Sequence, residues 1–281
     1  MRRPTDLLSA ALAHATARFT VRYGDGLDFA GKDLVVTKRS VKTRHGRVKV
    51  HVYGEGPVVV HLHGGAWMMR YPQMDDWWCR YLAATAGVQV LNVDFRTGPY
   101  VTYPVSQEQA FDVAVSEGAE VVTGFSSGGG MAAAVALMAR DTGKLDLKLQ
   151  VLGVPALDMA TEKPDSHGMI SDGLRALVRR TYFPDVARRS EPYASPLLAE
   201  DLTGLAPAVV LTAERDSLRP DGDAYAQRLR DAGVEVVYDL TPGADHYFLT
   251  ENKTRAKVTM AMVAAEVRRR TDESALRGTS T

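Results

Sequence analysis

Short runs of β-branched and other apolar residues alternate along this chain with longer stretches whose apolar positions recur every three or four residues. The short runs predict strands at Leu34 to Lys38, Arg47 to Tyr53, Val58 to His63, Val88 to Phe95, Glu120 to Gly124, Leu147 to Val154, Ala208 to Ala213 and Val234 to Leu240. The longer ones predict helices at Met74 to Ala86, Pro104 to Glu117, Ser127 to Arg140, Asp221 to Ala232 and Lys253 to Arg270. Such alternation makes a mostly parallel sheet with helices on both faces. The links between the first three strands are too short for crossover helices, which predicts an antiparallel meander there.

Two segments fall outside the alternation. Asp158 to Ser195 loosens into polar turns around one basic amphipathic piece, Leu174 to Arg180, and is expected above the sheet rather than in it. The start, MRRPTDLLSAALAHATARF, imitates a secretory signal poorly, because Asp6 precedes a short apolar patch. Its Leu7, Leu8, Ala11, Leu12, Ala15 and Phe19 repeat at helical spacing, which predicts a retained amphipathic helix packed on the body. Glu273 to Thr281 reads as a frayed tail.

Composition narrows the partner. A chain of 281 residues with 45% apolar content can bury one large core, so residues 1–281 read as a single domain. Lys and Arg number 34 and so do Asp and Glu, leaving no global field to draw in nucleic acid or an acidic membrane; a small molecule is the expected partner. No run is long enough to cross a membrane. The single cysteine, Cys79, excludes an internal disulfide framework and a cysteine-rich zinc site and fits a reducing, cytoplasmic setting. It stands beside Trp77 and Trp78 in a helical stretch, where a packed thiol is expected.

The candidate chemistry starts at VVTGFSSGGGMAAAVA. A phosphate loop needs a lysine after its second glycine, and here Gly128, Gly129 and Gly130 run into Met131 and alanine. What fits is Gly124-Phe125-Ser126-Ser127-Gly128 between a strand and a helix, a sharp turn that strains its middle residue and exposes that residue's hydroxyl. The spacing selects Ser126 as nucleophile, because centring on Ser127 would put Phe125 where the first glycine must be. Ser127 then contributes its amide at the helix start.

A serine nucleophile requires a base, an acid to orient it and donors for the oxyanion. Upstream, VVVHLHGGAW ends a strand in Gly64, Gly65, Ala66 and Trp67, small residues that let backbone amides turn toward a substrate carbonyl. Downstream, Asp216 lies just past a buried strand and His246 in the loop after the last one, so Ser126, Asp216 and His246 follow the chain order of a hydrolase triad. Glu214, two residues nearer the strand, is the weaker acid. Asp94, Asp112 and Asp158 are expected in structural pairs, and His14, His45, His51 and His167 lie outside the final loop. His61 and His63 alternate onto one side of a strand, as metal ligands can, but no further ligand-spaced cluster supports a metal. His61 reads as buried structure, and the triad chemistry needs no metal or organic cofactor.

Together these motifs resemble the hormone-sensitive-lipase-like esterases of the α/β-hydrolase superfamily, over about Val58 to Leu249. HGGAW looks like that family's oxyanion loop, GFSSGG its nucleophile elbow, YASPLLAEDLTGLAPAVVLTAERDSLRPDG its acid region and GADHYF its histidine loop. The resemblance implies an α/β-hydrolase fold, oxyanion amides from Gly65, Ala66 and Ser127, and a small helical cap from about residues 1–32 and 158–192. It implies hydrolysis of carboxylic esters with short to medium acyl chains. Three positions depart from the pattern: Phe125 stands where an acid is usual, Ala66 where a third glycine is, and Tyr100 where a glutamate is. Trp67 and Phe125 are therefore the candidate pocket residues. HGGAW also suits the kynurenine formamidases, which cleave an N-formyl aromatic amide on the same fold. A non-catalytic ligand-binding protein on this scaffold is the alternative from another class.

Overall fold

The computed structural model describes residues 3–163 and 168–278; His167 and part of the 158–192 segment lie outside them. The strands are β1 (Thr37–Thr43), β2 (Gly46–Tyr53), β3 (Val58–Leu62), β4 (Gln89–Asp94), β5 (Val121–Phe125), β6 (Leu149–Gly153), β7 (Ala208–Ala213) and β8 (Val236–Thr241). The helices are α1 (Pro4–Thr20), α2 (Asp76–Ala86), α3 (Val105–Ser116), α4 (Ser127–Thr142), α5 (Asp172–Thr181), α6 (Arg219–Asp231), the single turn α7 (Phe248–Glu251) and α8 (Lys253–Gly278). The eight strands form one sheet in the order β1-β2-β4-β3-β5-β6-β7-β8, parallel from β4 through β8. Helices α3, α4 and α6 bury their apolar sides on one face, α2 and α8 on the other. This is the mostly parallel sheet with helices on both faces expected from the alternation, in the α/β-hydrolase arrangement that the resemblance implies.

The predicted meander holds only for its first hairpin. β1 and β2 pair antiparallel, but β4 lies between β2 and β3. Burial explains the difference: β3 is apolar and covered on both faces, as a central parallel strand must be, whereas β1 is exposed at all but Val41 and Thr43. The first strand also begins later than Leu34. Leu34 and Val36 pack on the α2/α8 layer ahead of the ladder, and the polar TKRSVKT segment forms the edge.

The N-terminal helix forms but turns over relative to expectation. Leu8, Leu12 and Phe19 are 72%, 62% and 61% exposed, while Asp6, Ala10 and Ala17 are buried. Small side chains allow close approach to the body, and Asp6 accepts two hydrogen bonds from Arg180 of α5 at 2.8 and 3.0 Å. Nor does the C-terminal segment fray where expected: the backbone of α8 stays helical to Gly278, and residues 279–281 lie outside the described set.

Candidate active site

The elbow is fixed by sterics. Ser126 holds φ 56° and ψ −119°, a conformation that costs an L-residue energy and persists only where its surroundings demand it. They do: its N–H donates to Gly153 O at 2.8 Å, and its carbonyl accepts from Gly130 N and Ala156 N. A Cβ on Gly124 would lie 2.2 Å from the Gly128 carbonyl oxygen, and one on Gly128 would lie 1.9 Å from that of Leu62. Both glycines are therefore required by backbone that cannot yield. The turn launches α4, whose run of small residues packs against the sheet.

His246 and Asp216 come together over the sheet ends. His246 Nδ1 is 2.8 Å from Asp216 Oδ2, with both side chains buried, and Asp216 Oδ1 accepts from Leu218 N at 3.0 Å. Glu214 is turned elsewhere, accepting from Gly243 N at 2.6 Å, which holds the loop carrying His246. Asp94 and Asp112 pair with Arg70 and Arg44 as expected. Asp158 instead closes a turn, accepting from Ala160 N and Thr161 N; burial opposes its charge, but these bonds hold its carboxyl below the usual range. Cys79 is fully buried and burial pushes its thiol well up, as a packed group.

Opposite Ser126 runs the loop Gly64 to Met69. Gly65, Ala66 and Trp67 take φ 105°, 55° and 52°, and the Gly65 carbonyl accepts from Met68 N and Met69 N. Among the described residues the N–H groups of Gly65 and Ala66 have no acceptor, and Ser127 N, in the first turn of α4, has none within its helix. Gly64 differs: its N–H donates to the buried Asp75 Oδ2 at 3.3 Å. Gly64 therefore shapes the loop, and the free amides are those of its neighbours.

His61 and His63 do not converge on a common ligand. The His61 ring spans Thr123 Oγ1 at 2.7 Å and Asp75 Oδ2 at 3.0 Å. His63 stacks on Phe95 with ring centroids 4.3 Å apart, and burial depresses its pKa to about 4, so it is neutral near pH 7. Among the described residues no group of three or more His, Cys, Asp or Glu could hold a metal ion.

Two cavities meet at Ser126, and both are also lined by Ala66, Ile170 and Leu174. The smaller, about 50 Å³, extends between Trp67, Ser127, Met159, Val178 and Leu218. The larger, about 140 Å³, is lined by Tyr23, Met69, Phe125, His246 and Tyr247. Trp67 stacks on Tyr182 and meets Phe183 edge-on, so its indole is held at the wall of the smaller cavity. Phe125 sits in an aromatic nest with Tyr23, Trp77 and Trp78 at 5.0 to 5.7 Å and touches the larger cavity from below. Tyr100 is exposed and meets His14 edge-on, away from both.

A strained serine on a strand-to-helix turn of a parallel sheet, lining one cavity with the histidine of a buried His–Asp pair, is the arrangement of an α/β-hydrolase. The profile of the α/β-hydrolase fold matches residues 59–250. The chain is 33% identical over 229 residues to an arylesterase of Saccharolobus solfataricus, covering 74% of this chain and 73% of that one. It is 31% identical over 242 residues to a carboxylic ester hydrolase of Mycobacterium tuberculosis, covering 76% of this chain and 64% of that one. A crystal structure of a thermostable esterase from Pseudomonas putida superimposes with a TM-score of 0.84 at 29% identity, covering 96% and 92% of the two chains. The chain belongs to the hormone-sensitive-lipase-like esterase family and is an ester-hydrolysing enzyme.

Sequence reasoning missed Asp75, Thr123, Tyr23, Val154 and Tyr247. Asp75 had a signal, an acid in the first turn of the helix predicted from Met74, but that signal reads as a favourable helix N-terminus. Val154 had none: its φ of 40°, rare for a β-branched residue, is set by its N–H donating to Leu211 O beside the elbow.

Proposed function

We propose that the enzyme hydrolyses carboxylic esters through an acyl-enzyme on Ser126. His246 takes the Ser126 proton during attack and returns it to the leaving alcohol. Asp216 fixes the imidazole through Nδ1 and stabilises its charged form, so that Nε2 faces the serine. The amides of Gly65, Ala66 and Ser127 hold the oxyanion. Water then enters on the side the alcohol has left and is deprotonated by the same histidine. The observation that carries this reading is that the strained Ser126 and His246, itself bonded to the buried Asp216, line one cavity.

The two cavities divide the substrate. His246 lines only the larger one, and the group that protonates the leaving oxygen must lie on the alcohol side. The acyl chain therefore occupies the smaller cavity, whose volume suits acyl groups of about two to four carbons, the short end of the expected range. The described parts of residues 1–32 and 158–192 act as the cap, a reading supported by Val21, Tyr23, Met169, Ile170 and Leu174, which line the cavities.

A fluorophosphonate probe tests the chemistry: one covalent adduct on Ser126 is expected, and folded protein that stays unlabelled rejects the nucleophile. A panel of p-nitrophenyl esters of rising chain length, with an N-formyl aromatic amide added, tests the substrate. Rates highest at acetyl to butyryl are expected; faster turnover of the formyl amide would make the enzyme an amidase.

A further inference from the structure

We infer that Asp75, held by His61, is a positioning residue for the oxyanion loop, an inference that rests on the ester hydrolysis proposed above. Asp75 occupies the N-cap position of α2, where an acid ordinarily accepts a hydrogen bond from the helix's own first-turn amides. It makes no such bond. Its Oδ2 reaches instead across the protein to the Gly64 N–H, 3.3 Å away, and to His61 Nε2, 3.0 Å away. His61 is anchored in turn by Thr123 Oγ1 on β5, two residues before the elbow phenylalanine. One relay thus joins the strand that carries Ser126 to the loop that carries the oxyanion amides.

Stability does not explain this acid. Asp75 and His61 are wholly buried, and Asp75 Oδ1 has no partner among the described residues. A buried carboxyl with an unsatisfied oxygen costs a fold stability, so packing alone does not account for its presence. What it serves is the orientation of the peptide between His63 and Gly64. Fixing the Gly64 N–H inward by a charged acceptor fixes the start of the turn, and with it the direction of the next two amides, Gly65 and Ala66, which stay free. Those amides must already point at the developing oxyanion, because a donor that reorients during reaction loses much of its benefit.

The test is Asp75→Asn and Asp75→Ala in the full chain, read by kcat and KM on p-nitrophenyl acetate and by inhibition with a trifluoromethyl ketone that forms a tetrahedral adduct. Asp75→Asn keeps an oxygen for Gly64 but removes its charge; Asp75→Ala removes the acceptor. We expect kcat per folded molecule to fall by about tenfold in the first and about a hundredfold in the second, with KM within twofold. Affinity for the ketone should fall in step with kcat. The melting temperature of Asp75→Asn should not fall. Unchanged kcat in either folded variant overturns the inference, as does loss of activity that merely tracks loss of folded protein. If Asp75→Ala does not fold, Asp75→Asn decides. Wild-type protein that fails to label at Ser126 rejects the catalytic reading itself; labelled wild type with fully active Asp75 variants rejects only this role.

Discussion

The elbow and the segments that cover it are held by opposite means. At the elbow, Gly124 and Gly128 press against backbone carbonyls, Ser126 is strained, and Gly153, Ala156 and Gly130 clamp it. Above it, α1 and α5 meet with the buried Asp6 bonded to the partly exposed Arg180, and His14 reaches Met68 O at 3.1 Å. The floor of the site tolerates almost no change of shape, whereas the cover is joined by contacts that can be remade. On the proposed mechanism, rigidity is placed where charge develops and the remakeable contacts where the cap would admit substrate.

The sharpest way to break this contrast is at the serine pair. Ser126→Ala should lower kcat/KM by about 10⁴-fold or more with the fold intact, while Ser127→Ala should stay within about tenfold, since only its amide is used. Loss of activity in Ser127→Ala alone would move the nucleophile. Next in size is Gly128→Ala, which forces a Cβ to within 1.9 Å of the Leu62 carbonyl. It should destabilise by more than about 3 kcal/mol or give no soluble protein, as urea unfolding would show.

A pH experiment probes the same rigid floor. His63 titrates near 6.5 when unfolded and about 4 when folded, lowered by burial, so between those values the unfolded chain binds the extra proton. Stability then rises with pH, and acidification from pH 6.5 to 4 should remove about 3 kcal/mol through this group. Urea midpoints should show that slope in wild type and a shallower one in His63→Gln. The smallest effect belongs to the cover: Asp6→Ala should shift the urea midpoint least of these variants, because Arg180 is partly exposed and solvent screens the pair. If α1 and α5 form the proposed cap, the substitution should nevertheless raise KM for esters of bulky alcohols, and an equal change for all substrates would deny them a role in selection.

The same division governs how much the sequence discloses. Gly124, Ser126 and Gly128 are legible because sterics leave no other residue at those places, and the spacing alone chooses between the two serines. The order Ser126, Asp216, His246 is legible because loops at the ends of parallel strands meet in space. The insertion of β4 between β2 and β3 is not, since pairing order depends on which strands can be buried on both faces. The facing of α1 misleads for a related reason: helical periodicity identifies an apolar stripe but not whether anything covers it, and here alanines make the contact. Asp75 is hidden because its partners, His61 and Gly64, are 14 and 11 residues away and across a turn.

The edge strand β1 bears on how the enzyme behaves when crowded. An open sheet invites a neighbouring chain to add a strand, and a long exposed edge is the usual start of aggregation. Here the edge carries Lys38, Arg39 and Lys42, all exposed, and Arg39 is tied to Glu117 at the end of α3. A chain docking on that edge would have to strip water from these cations and bring its own copies of them alongside. The same seven residues that end the sheet thus make this edge a poor template for a strand from a second molecule.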